Sequence, residues 1–225
     1  MKKAVVLLSG GLDSATTLYL AKSQGYQCFC LIFDYKQRHN KEVGCAKKIA
    51  KQTNCNSRLL KINLPWLGSS LLDKNLAIPQ STNLKNRIHA IPSTYVPARN
   101  IIFLSFALSY AESIGAESIF IGAHAQDYSG YPDCRPEFYQ AFKKMALCGT
   151  KRGVIKKPIE IKTPLIYKNK AQIIKLGARL RVPFELTWSC YQGAKKPCQE
   201  CDSCHFRAKG FKEVGLKDAL ISGVE

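Results

Sequence analysis

The sequence predicts an α/β protein: a parallel sheet with helices on both faces, followed by a small C-terminal module built on cysteines. Three observations carry that expectation. Short apolar runs alternate with longer amphipathic segments along most of the chain. The loop Ser9-Gly10-Gly11-Leu12-Asp13-Ser14 stands between the first apolar run and the first helix-like segment. Cys190, Cys198, Cys201 and Cys204 are spaced C-x7-C-x2-C-x2-C. The expected division is a 1–185 domain and a 186–225 cysteine module with a tail helix.

Taken in order, Lys3 to Leu8 is a β-branched apolar run that reads as a buried strand. Gly10-Gly11 breaks it, and Asp13 to Ser23 repeats apolar residues at helical spacing. Cys28 to Phe33 is the second strand, Lys41 to Thr53 a basic helix, and Arg58 to Asn63 the third strand. Residues 65–97 are irregular, and a stretch that long inside a compact domain usually has a functional reason. Ile101 to Ser113 is an apolar helix and Ser118 to Gly122 a short strand. Pro136 to Cys148 is a helix with Phe138, Phe142 and Met145 on one face. Val154 to Ile166 is extended, and Lys168 to Arg179 is the last clear helix. In such sheets ligands bind beyond the carboxyl ends of the strands, which selects the loops 9–14, 34–40, 93–100 and 123–135.

The chain has 225 residues, enough for one core, and its longest apolar runs are too short to span a bilayer. The charged start Met1-Lys2-Lys3 precedes an apolar run too short for a signal peptide, so a cytoplasmic location is expected. In that reducing setting clustered cysteines bind metal more often than they pair. The scattered Cys28, Cys30, Cys45, Cys55 and Cys148 read as small buried hydrophobes; Cys134 stands apart because of its polar neighbours. The net charge of +18 fits either nucleic acid or anionic substrates. The bases are dispersed and lack interleaved aromatics, which favours anionic substrates.

Paired glycines let a backbone approach a phosphate, and the following helix presents free N–H groups to it. Ser9 and Ser14 add hydroxyls. Asp13 sits oddly beside an anion unless it caps the helix or recruits Mg²⁺. No lysine follows the glycines, so this is not the loop of terminal phosphoryl transfer, nor is it the dinucleotide fingerprint. Four cysteines at the observed spacing match a closed zinc site, with an iron–sulfur cluster or free thiols as the alternatives. His205 adjoins Cys204 as a neighbour to a complete ligand set. The stretch Asp127-Tyr128-Ser129-Gly130-Tyr131-Pro132-Asp133-Cys134-Arg135 is dense in groups that hydrogen-bond a planar polar ligand.

The hexapeptide loop resembles that of the PP-loop N-type ATP pyrophosphatases. It occurs in order with Phe33-Asp34-Tyr35-Lys36-Gln37-Arg38-His39, Tyr95-Val96-Pro97-Ala98-Arg99-Asn100, Asp127 to Arg135, Thr163-Pro164-Leu165 with Lys170, and the four cysteines. That combination resembles the 7-cyano-7-deazaguanine synthase family of the queuosine pathway, from about residue 3 to residue 211. The resemblance implies a Rossmann-like (adenine nucleotide alpha hydrolase-like) sheet, ATP with Mg²⁺, and one structural Zn²⁺. It implies a nitrile-forming ligase that consumes 7-carboxy-7-deazaguanine, ammonia and ATP and releases AMP and pyrophosphate.

Carried over by position, Leu8, Ser9, Gly10, Gly11, Leu12, Asp13 and Ser14, with Gln37, Arg38 and His39, would bind ATP. Asp13, Arg99 and Lys170 would be catalytic. Asp127, Tyr128, Ser129, Gly130, Tyr131, Asp133 and Arg135 would bind the deazaguanine, and Cys190, Cys198, Cys201 and Cys204 the metal. Lys36 departs from the family, which usually has glycine there. No direct nucleic-acid or membrane partner is expected; the sequence leaves oligomeric state open, a homodimer included. The rival reading is a PP-loop tRNA-sulfurating enzyme.

Overall fold

The computed structural model describes residues 1–80, 91–124 and 130–222. Five parallel strands form one sheet in the order β3-β2-β1-β4-β5. They are β1 (Lys3–Leu7), β2 (Gln27–Asp34), β3 (Asn56–Lys61), β4 (Ser118–Phe120) and β5 (Glu160–Lys162). The helices are α1 (Leu12–Ser23), α2 (Lys41–Gln52), α3 (Arg99–Ser113), α4 (Pro136–Gly149), α5 (Lys151–Val154), α6 (Lys170–Arg179), α7 (Asp202–Glu213) and α8 (Ala219–Ser222). Short 3₁₀ turns cover Pro132–Cys134 and Phe184–Leu186. Among the described residues no helix is long and apolar enough to cross a membrane.

β1 is central, and its alternation decides the two core layers. Val5 and Leu7 face α3 and α4, meeting Leu104, Ala107, Tyr139 and Phe142. Ala4 and Val6 face the opposite layer, meeting Leu18, Ala46, Ile49 and Ile173 from α1, α2 and α6. A strand buried on both faces reads as a continuous apolar run, and β1 does so. Val5 pairs with Phe29 of β2 on one side and Ile119 of β4 on the other. The chain runs outward from β1 through β2 to β3, then returns to β4 beside β1. The crevice beyond the carboxyl ends of β1 and β4 is therefore the topological switch point.

The elements differ from the sequence expectation in four places. β3 begins two residues earlier, at Asn56, because this edge strand is largely exposed and carries little apolar signal. The stretch expected as extended from Val154 holds the end of α5 and only a three-residue strand, β5. On α4 the buried face is Tyr139, Phe142 and Ala146, whereas Met145 is 47% exposed. Cys148 is exposed as well, and Cys45 and Cys55 are only half-buried, against their reading as buried hydrophobes.

The cysteine segment is joined to the domain before it. Phe211 of α7 belongs to the same core layer as α1, α2 and α6. Gln80 bridges Cys201, and the Trp188 amide donates to the Gly10 carbonyl at 3.0 Å.

Lys36, which stands where the resembled family usually has glycine, adopts φ +58°, in the left-handed region. Ala98, just before α3, does the same at φ +54°. Left-handed backbone costs an L-residue roughly 1–2 kcal/mol, partly offset in glycine by its floppier unfolded chain. Lys36→Gly should therefore stabilise the protein by roughly 0.5–1 kcal/mol. The check is a higher urea midpoint at unchanged m-value.

Candidate active site

The Ser9–Ser14 loop lies where β1 feeds α1. Ser9 Oγ donates to Ser14 Oγ at 3.0 Å, Ser14 Oγ is 3.0 Å from the Gly11 carbonyl, and the Gly10 amide donates to Ser14 Oγ at 3.2 Å. These contacts curl the loop over the start of α1, whose first amides lack a side-chain cap. An uncapped helix N-terminus is a ready anion site. Gly10 is required twice over. Its φ is +92°, and a Cβ there would lie 2.1 Å from the Glu42 carbonyl oxygen. The loop is thus seated on the first turn of α2.

Asp13 does not cap α1. Lys170 Nζ, at the first position of α6, donates to both Asp13 carboxylate oxygens at 2.8 Å. His124 Nε2 lies 3.4 Å from Asp13 Oδ2 and 3.0 Å from Lys170 Nζ. Burial pushes the Asp13 carboxyl up, but Lys170 and His124 outweigh it and hold it well below the usual carboxylate range. The sequence reading singled out Asp13 and Lys170 separately; the structure brings them together and adds His124.

A cavity of about 230 Å³ opens beside this loop. Leu8, Ser9, Gly11, Asp13, Ser14, Gln37, Arg99 and Tyr131, all singled out in the sequence, line it. Glu42, Asn100 and Tyr191, which the sequence reading did not place in the site, line it too. Leu12 points into the core at 1% exposure. Arg99, the first residue of α3, reaches the Tyr35 hydroxyl at 3.4 Å and carries its charge into the cavity wall. Burial pushes the Glu42 carboxyl up to about 7, with Arg99 opposing the rise and the Cys190 sulfur adding to it.

Other expected site residues are committed elsewhere. Arg38 Nη1 donates to the Ser70 and Leu76 carbonyls at 3.2 and 2.8 Å, tying down the segment that precedes the undescribed 81–90. His39 Nε2 meets the Cys190 carbonyl at 2.9 Å. Asp133 is buried, and its Oδ2 accepts the Asn100 amide at 2.9 Å at the start of α3. It serves as a cap for α3 rather than facing the cavity. Gly130 sits against Pro92, where a Cβ would be 3.1 Å from the ring. Tyr131 shares a 2.6 Å hydroxyl contact with Thr94, and Arg135 is exposed at the entry to α4. Asp127, Tyr128 and Ser129 lie outside the described residues.

The sulfurs of Cys190, Cys198, Cys201 and Cys204 all lie within 4.8 Å of one another. A tetrahedron with metal–sulfur bonds of about 2.3 Å sets sulfurs roughly 3.8 Å apart, so the set fits one ion with little adjustment. Amides of Gln192 and Cys198 donate to Cys190 Sγ, and that of Cys201 to Cys198 Sγ, each at 3.4 Å. Such donors favour thiolates. The Cys190 carbonyl also accepts Trp188 Nε1 at 2.8 Å, besides His39. The cysteine cluster is thereby linked through Trp188 to Gly10, and through His39 to the loop after β2.

The Queuosine biosynthesis protein QueC family profile matches residues 3–215. A protein named 7-cyano-7-deazaguanine synthase from Thermoplasma volcanium is 51% identical over 219 residues, covering 97% of this chain and 90% of that one. Proteins of the same name from Nostoc punctiforme and Acetivibrio thermocellus are 50% and 52% identical, covering 97% and 98% of this chain and 99% and 97% of theirs. Among solved structures, an NMN synthetase from Francisella tularensis superposes with a TM-score of 0.50 at 14% identity, covering 100% of this chain and 78% of that one. That likeness concerns the fold alone.

Two outcomes follow from the geometry. Since the folded-state acidity of Asp13 lies well below its unfolded value near 3.9, its stabilisation is complete above about pH 5, begins to fall as pH drops below about 4, and is fully lost only below the much lower folded value. Asp13→Asn should cost about 2 kcal/mol at pH 7 and about 1 kcal/mol less at pH 3, as read by urea denaturation at both pH values. Stripping metal with a chelator should lower the melting temperature and speed amide exchange at Gly10 and Gly11, measured by hydrogen–deuterium exchange. Unchanged exchange there would show that the cysteine cluster and the loop are mechanically independent.

Proposed function

Because the chain belongs to the family of queuosine biosynthesis protein QueC, we propose that it makes 7-cyano-7-deazaguanine from 7-carboxy-7-deazaguanine, ammonia and ATP. The observation that carries the chemistry is the Asp13–Lys170 pair beside the Ser9–Ser14 loop. Lys170 neutralises the loop's own carboxylate, which would otherwise repel a polyphosphate, so the loop and the start of α1 can hold pyrophosphate. Arg99, across the cavity, adds a second cation for charge that develops as pyrophosphate leaves. Mg²⁺ would accompany ATP, and Asp13 is the nearest carboxylate to share with it.

In this reading the carboxylate of the substrate attacks the α-phosphorus, and pyrophosphate departs into the loop. Ammonia then displaces AMP to give a primary amide. The amide oxygen is adenylated in turn by a second ATP, and loss of AMP with the remaining nitrogen proton leaves the nitrile. Both halves need an oxygen facing the α-phosphorus and the same pyrophosphate cradle, so one cavity serves both. Tyr131, Gln37 and Asn100 line the wall available to the heterocycle, and the four cysteines would hold one zinc. The tRNA-sulfurating alternative has less support. Cys134 lines the cavity, yet Asn100 Nδ2 already lies 3.1 Å from its sulfur.

The test is incubation with ATP, Mg²⁺, ammonium and 7-carboxy-7-deazaguanine, read by mass spectrometry. The nitrile should appear with AMP and pyrophosphate, in the absence of RNA. Synthetic 7-amido-7-deazaguanine with ATP and no ammonia should also yield the nitrile. ADP as the main product, or an inert amide alongside a converted acid, contradicts the shared-cavity reading.

A further inference from the structure

We propose that Glu42 is the base of the amidation step: it receives ammonium in the cavity and takes the proton that the nitrogen must lose before it can attack. This rests on the amidation reading above and goes further by giving the nitrogen substrate a site. Among the described residues two carboxylates line the cavity, Asp13 and Glu42. Asp13 is already paired with Lys170 and lies beside His124. Glu42 makes no side-chain hydrogen bond and no ion pair among the described residues, although it is only partly exposed. A carboxylate held so, with no hydrogen-bond partner of its own, is ready to receive a proton or a small cation.

The position of Glu42 is fixed by the loop itself. Its carbonyl oxygen fills the space that a Cβ on Gly10 would occupy, so the first turn of α2 packs directly on the Ser9–Ser14 loop. Arg99, Gln37, Tyr35 and Ser9 complete the surrounding wall. Among the described residues, a cation that enters this cavity finds Glu42 as the acceptor of opposite charge without a side-chain partner.

The chemistry requires such a group. Ammonium, the dominant form near neutral pH, has no lone pair. One N–H proton passes to a Glu42 oxygen, freeing the pair that forms the C–N bond at the acyl carbon of the adenylate. The C–O bond to AMP then breaks, AMP leaves with that electron pair, and the second surplus proton on nitrogen goes to water. Glu42 returns its proton to solvent. A carboxyl that burial holds near neutrality is matched to this exchange.

The experiment compares the wild-type enzyme with Glu42→Gln and Glu42→Asp in three assays. Exchange of labelled pyrophosphate into ATP, driven by 7-carboxy-7-deazaguanine without ammonia, reports adenylation alone. Turnover with ammonium reports the whole amidation. Turnover with hydroxylamine, largely unprotonated at neutral pH, reports attack that needs no base beforehand. For Glu42→Gln we expect exchange within about twofold of wild type, ammonium turnover down by about 100-fold or more, and hydroxylamine turnover within about threefold. Glu42→Asp should recover part of the ammonium rate. Equal loss in all three assays, or ammonium turnover near wild type, overturns the role of Glu42. Absence of exchange in the wild type would instead overturn the amidation reading, and the proposal with it.

Discussion

The bidentate contact between Lys170 and Asp13 is the constraint on which the rest of the site depends. A lysine at the first position of a helix faces the positive end of the dipole, which disfavours it by a few tenths of a kcal/mol or more. α6 tolerates Lys170 there because Asp13 supplies the compensating charge at 2.8 Å. The same contact resolves the oddity of an aspartate beside an anion-binding loop. Paired with Lys170, Asp13 is charge-compensated, and it draws that cation to the N-terminus of α1. Two helices that are adjacent in one core layer are thereby locked at their functional ends.

Around that contact the fold supplies rigid supports. The loop's glycine is pressed on the first turn of α2, and its carbonyl is held by Trp188. Trp188 in turn shares the Cys190 carbonyl with His39. The cysteine cluster thus buttresses the Ser9–Ser14 loop, and the C-terminal segment contributes Tyr191 to the cavity wall. A metal held by the four cysteines would gain in this way a structural reason to affect the Ser9–Ser14 loop.

Much of this was legible in the sequence, for identifiable reasons. β1 and the Ser9–Ser14 loop announce themselves through a doubly buried apolar run that ends in paired glycines. The cysteine spacing likewise foretold a set of sulfurs within reach of one ion. What stayed hidden was either non-local or ambiguous. Lys170 and Asp13 are 157 positions apart, and no local pattern joins them. His124 is a lone histidine after a short strand. Glu42 reads as an ordinary acid in the first turn of a helix, where it would complement the dipole. Asp133 has the opposite history. Its polar neighbourhood pointed to a ligand, and its carboxylate is spent on the start of α3. Arg38 and His39 follow the second strand, as a nucleotide contact would, yet both side chains turn to backbone carbonyls that organise the flanking segments.

The central claim is that the Asp13–Lys170 pair creates the pyrophosphate site. A double-mutant cycle on pyrophosphate affinity tests it most directly, using wild type, Asp13→Asn, Lys170→Met and the double variant in titration calorimetry with Mg²⁺ present. The account predicts that Lys170→Met weakens binding at least about tenfold and that the two substitutions couple by about 1 kcal/mol or more. Strictly additive effects, or pyrophosphate affinity unchanged by Lys170→Met, would contradict it.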